Sequence, residues 1–559
     1  MLHRTVLPVL LLATVLGWAV APRPALAQSA TPVRGNPEAP VGGVRRDRFP
    51  VQPHTLHPLN ATDRYGNLVL DYLYETLAET DPQTLEHVPR LAEGWEISDD
   101  HKTFTFHLDP DARWRNGEPV TARDVKFSFD VLFHKTLKTR GKWQAYFANF
   151  ERVEVVDKRT VRFHAKRDHF LNFVNIAGLR IVPASGFPGD DPNDTPLAKQ
   201  PRGSGPYRLV SWDKGSSLRL ARRQDYWGAD LPLNRGRYNV ETILTKIVQA
   251  DTVALEALKK GELDVLELSP EQWVREATGE KFGEGPGTGA PIVKLDVQNQ
   301  APRPYRYVGW NLSSPLFSDE RVRRAMGHLF DRETFIDKFF FGMHTKAVGP
   351  FAANSDYTSP RVAPLDFSVK KALALLREAG WGDSDGDRVL DKDGRPLRFT
   401  IMTADPETSV KMLTLAKQSM RRAGVDMNIK LVDWTSLLQL IDEYKFDAVM
   451  LGWTRSPFPD PTALWHSRSA VRGGLNFVRY RNEEVDALID KAVQASTPQA
   501  ERVKLYRRIH ERIHRDQPYT FLLEPAHQLY AYRAKFAVPR PYFAYDVGMD
   551  YWWVPQPRR

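Results

Sequence analysis

The stretch DAVMLGWTRSPFPDPTALWHS, residues 447–467, most constrains what this chain can fold into. Ala448 to Leu451 is a short unbroken apolar run, the pattern of a buried strand. Gly452 and Trp453 follow, and Pro457, Pro459 and Pro461 then punctuate the next segment. Proline has no N–H to give a sheet ladder, so the strand has to stop there. What leaves the strand end is a stiff loop carrying Trp453, Thr454, Arg455, Ser456, Phe458 and Asp460, closed by Trp465 and His466. A strand that delivers aromatic and charged groups into a rigid loop is a common foundation for a small-molecule site. A surface loop with a tryptophan packed beneath it fits the same residues.

A buried strand needs cover, and 559 residues, 42% hydrophobic and 26% charged, can supply it. That length predicts two or three lobes rather than one core. At the N-terminus Arg4 precedes the apolar run Val6 to Val20, and Ala25-Leu26-Ala27 before Gln28 is a small-residue cleavage pattern. Residues 1–27 therefore read as a secretory signal peptide rather than a membrane span, with a retained anchor as the alternative. No cysteine stands near the cleavage site, so no lipid anchor is expected. The whole chain has none, which removes disulfides, thiolate nucleophiles and cysteine metal sites together. Net charge is +9, or +7 once the two arginines of the signal, Arg4 and Arg23, are gone. The basic residues form no long block, so nucleic acid is a poor fit. The balance points instead toward an anionic membrane surface or an acidic ligand.

In chain order, residues 28–43 form a Pro/Gly/Ser/Ala-rich leader. Helical spacing over 68–77 is followed by alternating strands at 103–108, 150–156 and 160–164, with Thr121 and Asp124 capping a helix between them. This block, to about residue 200, predicts a compact α+β unit. A hairpin over 207–221, a helix over 252–260 ended by Gly261, and a strand over 263–268 suggest a βαβ unit. A second α/β region begins at Tyr307. It has helices predicted over 320–330, 368–379, 407–423, 435–444, 482–495 and 499–515, strands over 397–403 and 427–432, and returning strands at 521–523 and 528–532.

Several blocks match a known pattern in order: VPRLAEGWEISDDHKTFTFHL (88–108), WRNGEPVTARDVKFS (114–128), GSGPYRL (203–209), ALKKGELDV (257–265), NLSSPLFSDERVRRAM (311–326) and NFVRYRNEEVDALID (476–490). The chain resembles the family 5 solute-binding proteins of bacterial ABC importers, of the oligopeptide and dipeptide type. The run LPLNRGRYNVETI looks most like the microcin C and oligopeptide subgroup. The resemblance implies an α/β two-lobe periplasmic binding protein fold with an extra α+β domain. It places a discontinuous first lobe at 44–75, 201–300 and 521–559, the extra domain at 76–200 and the second lobe at 301–520. Ligand would lie between the lobes and be enclosed by hinge closure. In such relatives the segment after Gly-Trp offers backbone edges to an extended peptide, and an aspartate three residues past the tryptophan holds the peptide amine. Trp453 matches, but the third position is Ser456, and the nearest carboxylate is Asp460. Ligand contacts are therefore expected at Trp453, Thr454, Arg455, Ser456, Asp460 and Trp434. The implied partners are an oligopeptide-like ligand and membrane permease subunits, with a monomeric receptor free in the periplasm and no cofactor.

Three motifs compete with that reading. His510-Glu511-Arg512-Ile513-His514 fits HExxH, the zinc-protease pattern, but its helix already has an apolar stripe through Leu505, Tyr506, Ile509 and Ile513 and no third ligand follows clearly. An exported zinc hydrolase is one alternative; a periplasmic chaperone or sensor subunit on the same fold is another. Asp383, Asp385, Asp387, Asp391 and Asp393 suggest a calcium loop, but Arg388 and Gly394 occupy the positions that need glycine and acid, so an Asx-rich turn is expected. The glycines of 284–291 follow no strand and read as a flexible connection. No Ser/His/Asp set or carboxylate pair stands in a catalytic motif. Among the remaining tryptophans, Trp310, Trp465, Trp552 and Trp553 read as core.

Overall fold

The computed structural model describes residues 32–405, 407–539 and 542–555. The expected signal peptide and the first four residues of the leader lie outside the described residues.

The stretch at 447–467 grows out of a six-stranded sheet. Its strand order is His344–Lys346, Tyr519–Pro525, Tyr305–Trp310, Ala448–Trp453, Arg398–Thr403 and Asp426–Leu431. Tyr305–Trp310 runs antiparallel to both neighbours, whereas Arg398–Thr403 runs parallel to both of its own. Successive side chains of a strand point to opposite faces. Tyr305 and Tyr307 accordingly enter one core and Val308 and Trp310 the other. On the first face lie helices Trp434–Asp442, Glu483–Ala492 and Gln499–Asp516, through Leu437, Ile489 and Ile509. On the second lie Glu320–Gly327, Val369–Glu378 and Thr408–Arg422, through Met326, Leu376 and Met420. Cover on both faces is why Ala448 to Leu451 reads as an unbroken apolar run. The helix expected over 320–330 stops at Gly327, because Asp331 starts a new one, Arg332–Phe340, by accepting from the Thr334 N–H at 3.1 Å.

Two four-stranded sheets form the other side of the molecule. One orders Val44–Phe49, Thr242–Ile247, Ser217–Arg222 and Tyr207–Asp213; the other orders Val265–Glu267, Leu529–Arg533, Ile292–Asp296 and Phe282–Glu284. The βαβ unit expected at 207–268 is not formed. Helix Asp251–Lys260 joins Thr242–Ile247 in one sheet to Val265–Glu267 in the other. The partner of Val265–Glu267 is Leu529–Arg533, hundreds of residues away, which local periodicity cannot reveal. The short strand Phe282–Glu284 also precedes the glycine-rich 284–291 stretch.

A third sheet, Ala92–Ile97, Thr103–Leu108, Thr160–Ala165 and Phe150–Val155, is wholly antiparallel. It packs against helix Ala122–Asp130, where the Thr121 N–H donates to the Asp124 carboxylate at 2.9 Å. Its core runs on into that of the neighbouring sheets, with Leu70, Phe106, Leu218 and Trp552 in one cluster.

Two short segments, 297–304 and 526–528, carry the chain between the small sheet containing Leu529–Arg533 and the six-stranded sheet. Arg303 Nη1 donates to Gln528 Oε1 at 2.7 Å and ties the two crossings together. The lobe boundary expected at 520/521 falls inside the strand Tyr519–Pro525. That strand's backbone pairs with Tyr305–Trp310 and His344–Lys346, so the six-stranded sheet extends to 525.

Candidate ligand site

The strand Ala448–Trp453 ends in an aromatic stack. Trp453 lies parallel to Tyr307 at 6.3 Å between ring centres and 7° between planes, and Tyr307 stacks on Tyr519 at 4.0 Å. The Trp453 Nε1–H donates to Tyr519 Oη at 3.4 Å. One face of the half-buried indole is thus held by the protein. Thr454 and Ser456 are exposed beside it, and Ser456 Oγ accepts from the Phe458 N–H at 3.0 Å.

Arg455 does not point to a ligand. Its guanidinium meets Glu524 at 2.6 Å, with only 5% and 6% of the two side chains exposed. It also donates to the carbonyls of Pro350, Arg303 and Gly349 at 3.0, 2.9 and 2.9 Å and lies 4.3 Å from the Tyr305 ring centre. A guanidinium has five N–H groups, and these bonds give four of them protein acceptors.

Asp460 is also engaged. It accepts from the Thr462 N–H at 2.8 Å and lies 3.5 Å from His169 Nε2, a residue of the antiparallel-sheet unit. Burial pushes its pKa up, but the bonds from His169 and Thr462 outweigh burial and hold it below the usual carboxylate range. It therefore joins two parts of the fold. Trp434, by contrast, is 57% exposed and shares its surroundings with exposed Leu431 and Leu438, the latter one helical turn further on. Trp310, Trp465 and Trp552 are fully buried core.

A cavity lies elsewhere. About 780 Å³ opens between the small sheets and the end of the six-stranded sheet, with Phe49, Tyr65, Glu267, His344, Tyr530 and Asp546 in its wall. Ala301, Pro525 and His527 of the crossing segments also reach it. None of the six sequence-predicted residues lines it. Five of them share one loop, and Arg455 connects that loop to the crossing segments from behind. Sequence reasoning missed Tyr65, Glu267, Tyr530 and Asp546. The alternation of aromatic and acidic residues in YFAYDVGMDYWW (542–553) was the available signal.

The HExxH pattern is not a metal site. His510 is fully buried; its Nδ1 accepts from the Ser359 N–H at 3.0 Å, and Nε2 bonds the Val348 carbonyl at 3.2 Å. Glu511 accepts from Ser359 Oγ at 2.6 Å. Both imidazole nitrogens serve packing, so neither lone pair is left for zinc. The acidic loop forms the expected turn, with Asp383 accepting from the backbone N–H groups of Gly386 and Arg388.

Comparison with known proteins decides the family. The family model for bacterial extracellular solute-binding proteins, family 5 (middle) matches residues 86–474. The chain belongs to that family. Oligopeptide-binding protein AppA of Bacillus subtilis is 28% identical over 486 residues, 85% of this chain and 84% of AppA. The uncharacterized protein YejA of Escherichia coli is 27% identical over 568 residues, covering 93% and 90%. Among solved structures, AppA from Bacillus subtilis in complex with a nonapeptide superposes with a TM-score of 0.74 at 25% identity, covering 93% of this chain and all of AppA. DppA from Helicobacter pylori with the peptide STSA gives 0.74 at 22%, covering 92% and 99%, and shares the fold. The family 5 chain thus has the two-lobe periplasmic binding protein architecture, with the antiparallel-sheet unit added. No helix among the described residues is long and apolar enough to cross a membrane.

Proposed function

We propose that the protein is the exported receptor of an ABC importer and captures oligopeptide-like solutes between its lobes for delivery to membrane permease subunits. One observation carries the reading: a cavity of about 780 Å³ lies where two short crossings join sheets that otherwise pack separately. A ligand touching both sides gains its full contact energy only when the two are together, so binding and closure are one equilibrium. The family membership and a peptide-binding relative of nearly matching length support the solute class.

The lobes of this reading are 44–75 with 201–300 and the chain after 525, and 301–525. The added domain is 76–200. Trp453, Trp434, Thr454 and Ser456 lie outside that cavity's wall; in this reading they meet the part of an extended ligand that runs beyond it, the tryptophans as apolar walls and the other two as backbone edges. The receptor acts as a monomer in the periplasm after loss of residues 1–27. The test is gentle purification of the exported protein, denaturation, and mass spectrometry of what is released. Recovery of peptides supports the reading; recovery of only oligosaccharide or metal chelate overturns it.

A further inference from the structure

We infer that the cavity between the lobes seats a cationic group of the ligand, an ammonium or guanidinium, between Asp546 and Glu267, with Arg64 left to meet a ligand carboxylate. This rests on the receptor reading above and specifies the ligand's charge and where it is read.

The first observation is a line of part-buried ion pairs that starts in the cavity wall, at Asp47, Arg45, Tyr72 and Asp550, and runs back into the protein. Asp47 pairs with Arg45 at 3.0 Å, and Arg45 donates to Tyr72 Oη at 3.1 Å. Tyr72 donates to Asp550 at 2.5 Å, and Asp550 meets Arg237 at 3.2 Å. Arg237 meets Glu79, Glu79 meets Arg90, and Arg90 meets Glu75, each at 2.7 Å. The line holds four carboxylates and three guanidiniums, so it carries one negative charge in excess. Shielded charge of one sign is costly and favours an added cation.

The second observation is that two more carboxylates face the cavity with no ion pair among the described residues. Asp546 is exposed at the cavity wall, where it accepts from the Gly548 N–H at 2.5 Å. Glu267 is exposed in the cavity and stands opposite Tyr530 in the pairing of Val265–Glu267 with Leu529–Arg533. Asp546, Tyr530 and Arg64 line the same cavity as Glu267. The other charged lining groups have partners: Arg48 meets Asp251 at 2.7 Å, and His527 meets Asp296 at 2.6 Å.

The third observation is the wall itself. Phe49 and Tyr65 pack at 4.8 Å, and Leu68 beside them is 42% exposed. Aromatic and aliphatic surface around two carboxylates accommodates the stem and head of a cationic side chain or an N-terminal residue. The arrangement also accounts for Ser456. An amine read by the small-sheet side of the cavity does not need a carboxylate in the loop after Trp453.

The test uses the mature protein and two synthetic octapeptide pools of otherwise equal composition. One has free amino termini and a lysine; the other is N-acetylated and lacks lysine and arginine. Tryptophan-fluorescence titration is expected to show the cationic pool binding at least ~10-fold tighter, the value of a charge-assisted contact. Asp546→Asn and Glu267→Gln are each expected to cut that preference at least ~3-fold and to leave the acetylated pool within ~2-fold. Both carboxylates are exposed, so each variant is expected to fold and each checks the other. Equal binding of both pools by the wild type, or equal weakening of both by the variants, overturns the cation seat and leaves the peptide receptor standing. Binding of spermidine or free arginine that depends on Asp546, with no peptide bound, overturns the peptide reading and keeps the seat. Binding of none of these overturns both.

Discussion

Arg455 and Glu524 face each other at 2.6 Å, both almost fully shielded from water, and join the loop that leaves one central strand to the end of another. Because Arg455 also holds the Arg303 carbonyl, it fixes the six-stranded sheet at the point where both crossings leave it. A rigid edge there gives the crossings something to bend against. Breaking a buried pair from one side strands the other charge. Arg455→Met is expected to lower unfolding free energy by ~3–5 kcal/mol, and Arg455→Met with Glu524→Gln to recover part of it. Urea denaturation of both variants checks this.

Trp434 and Trp453 differ in how much the fold depends on them. Trp434 is mostly exposed, so Trp434→Ala should change stability by less than ~0.5 kcal/mol yet weaken peptide binding ~10-fold if its surface is a ligand wall. Trp453→Ala removes a ring from the Tyr307 stack and should lower both affinity and melting temperature. Calorimetry with thermal melts on the two variants separates wall from scaffold.

Acid should weaken the fold through buried His510 and half-buried His514 and His344. Burial lowers the pKa of His510 to about 4, and the same cause lowers His514 and His344 to about 4. The folded values lie below the unfolded value of ~6.5, so the unfolded chain binds more protons between pH 6.5 and 4. The stability these groups contribute is therefore complete above pH 6.5 and lost as pH falls toward 4. His510→Gln, which keeps an acceptor for Ser359 and a donor for Val348, should flatten that loss by ~2 kcal/mol. Denaturation curves at pH 7 and pH 4.5 test it.

The added domain grips the second lobe away from the crossings. Asp168 accepts from the Ala495 N–H at 2.8 Å and Ser496 Oγ at 2.6 Å, beside the His169–Asp460 contact. Losing contacts of this type costs ~1–2 kcal/mol, a shift of roughly tenfold in a two-state equilibrium. Asp168→Ala should raise the radius of gyration of the ligand-free protein in small-angle scattering, and saturating ligand should restore it.

Whole-chain charge and cavity charge differ here: the chain is basic overall, whereas the cavity wall sets Arg45, Arg48 and Arg64 against Asp47, Glu267, Asp546 and Asp550. Charge summed over a long chain is dominated by its surface and says little about a concave site.

Local pattern was enough to read much of this protein. The apolar run at 448–451, the prolines that end it, the Thr121–Asp124 cap and the stripe of the HERIH helix all depend on neighbours within a few residues. Periodicity and capping are forces of that range. The family was legible too, because its blocks are contiguous. Tertiary structure alone decided the rest. The partner of Val265–Glu267 lies near the C-terminus, the counterion of Arg455 is Glu524, and the partner of Asp460 is His169. A side chain's role follows from what stands within hydrogen-bond distance, and folding brings together residues that no spacing rule connects. Asp546, Glu267 and Arg64 are far apart in the chain and share one cavity, whereas the conspicuous Arg455 is consumed in holding the fold.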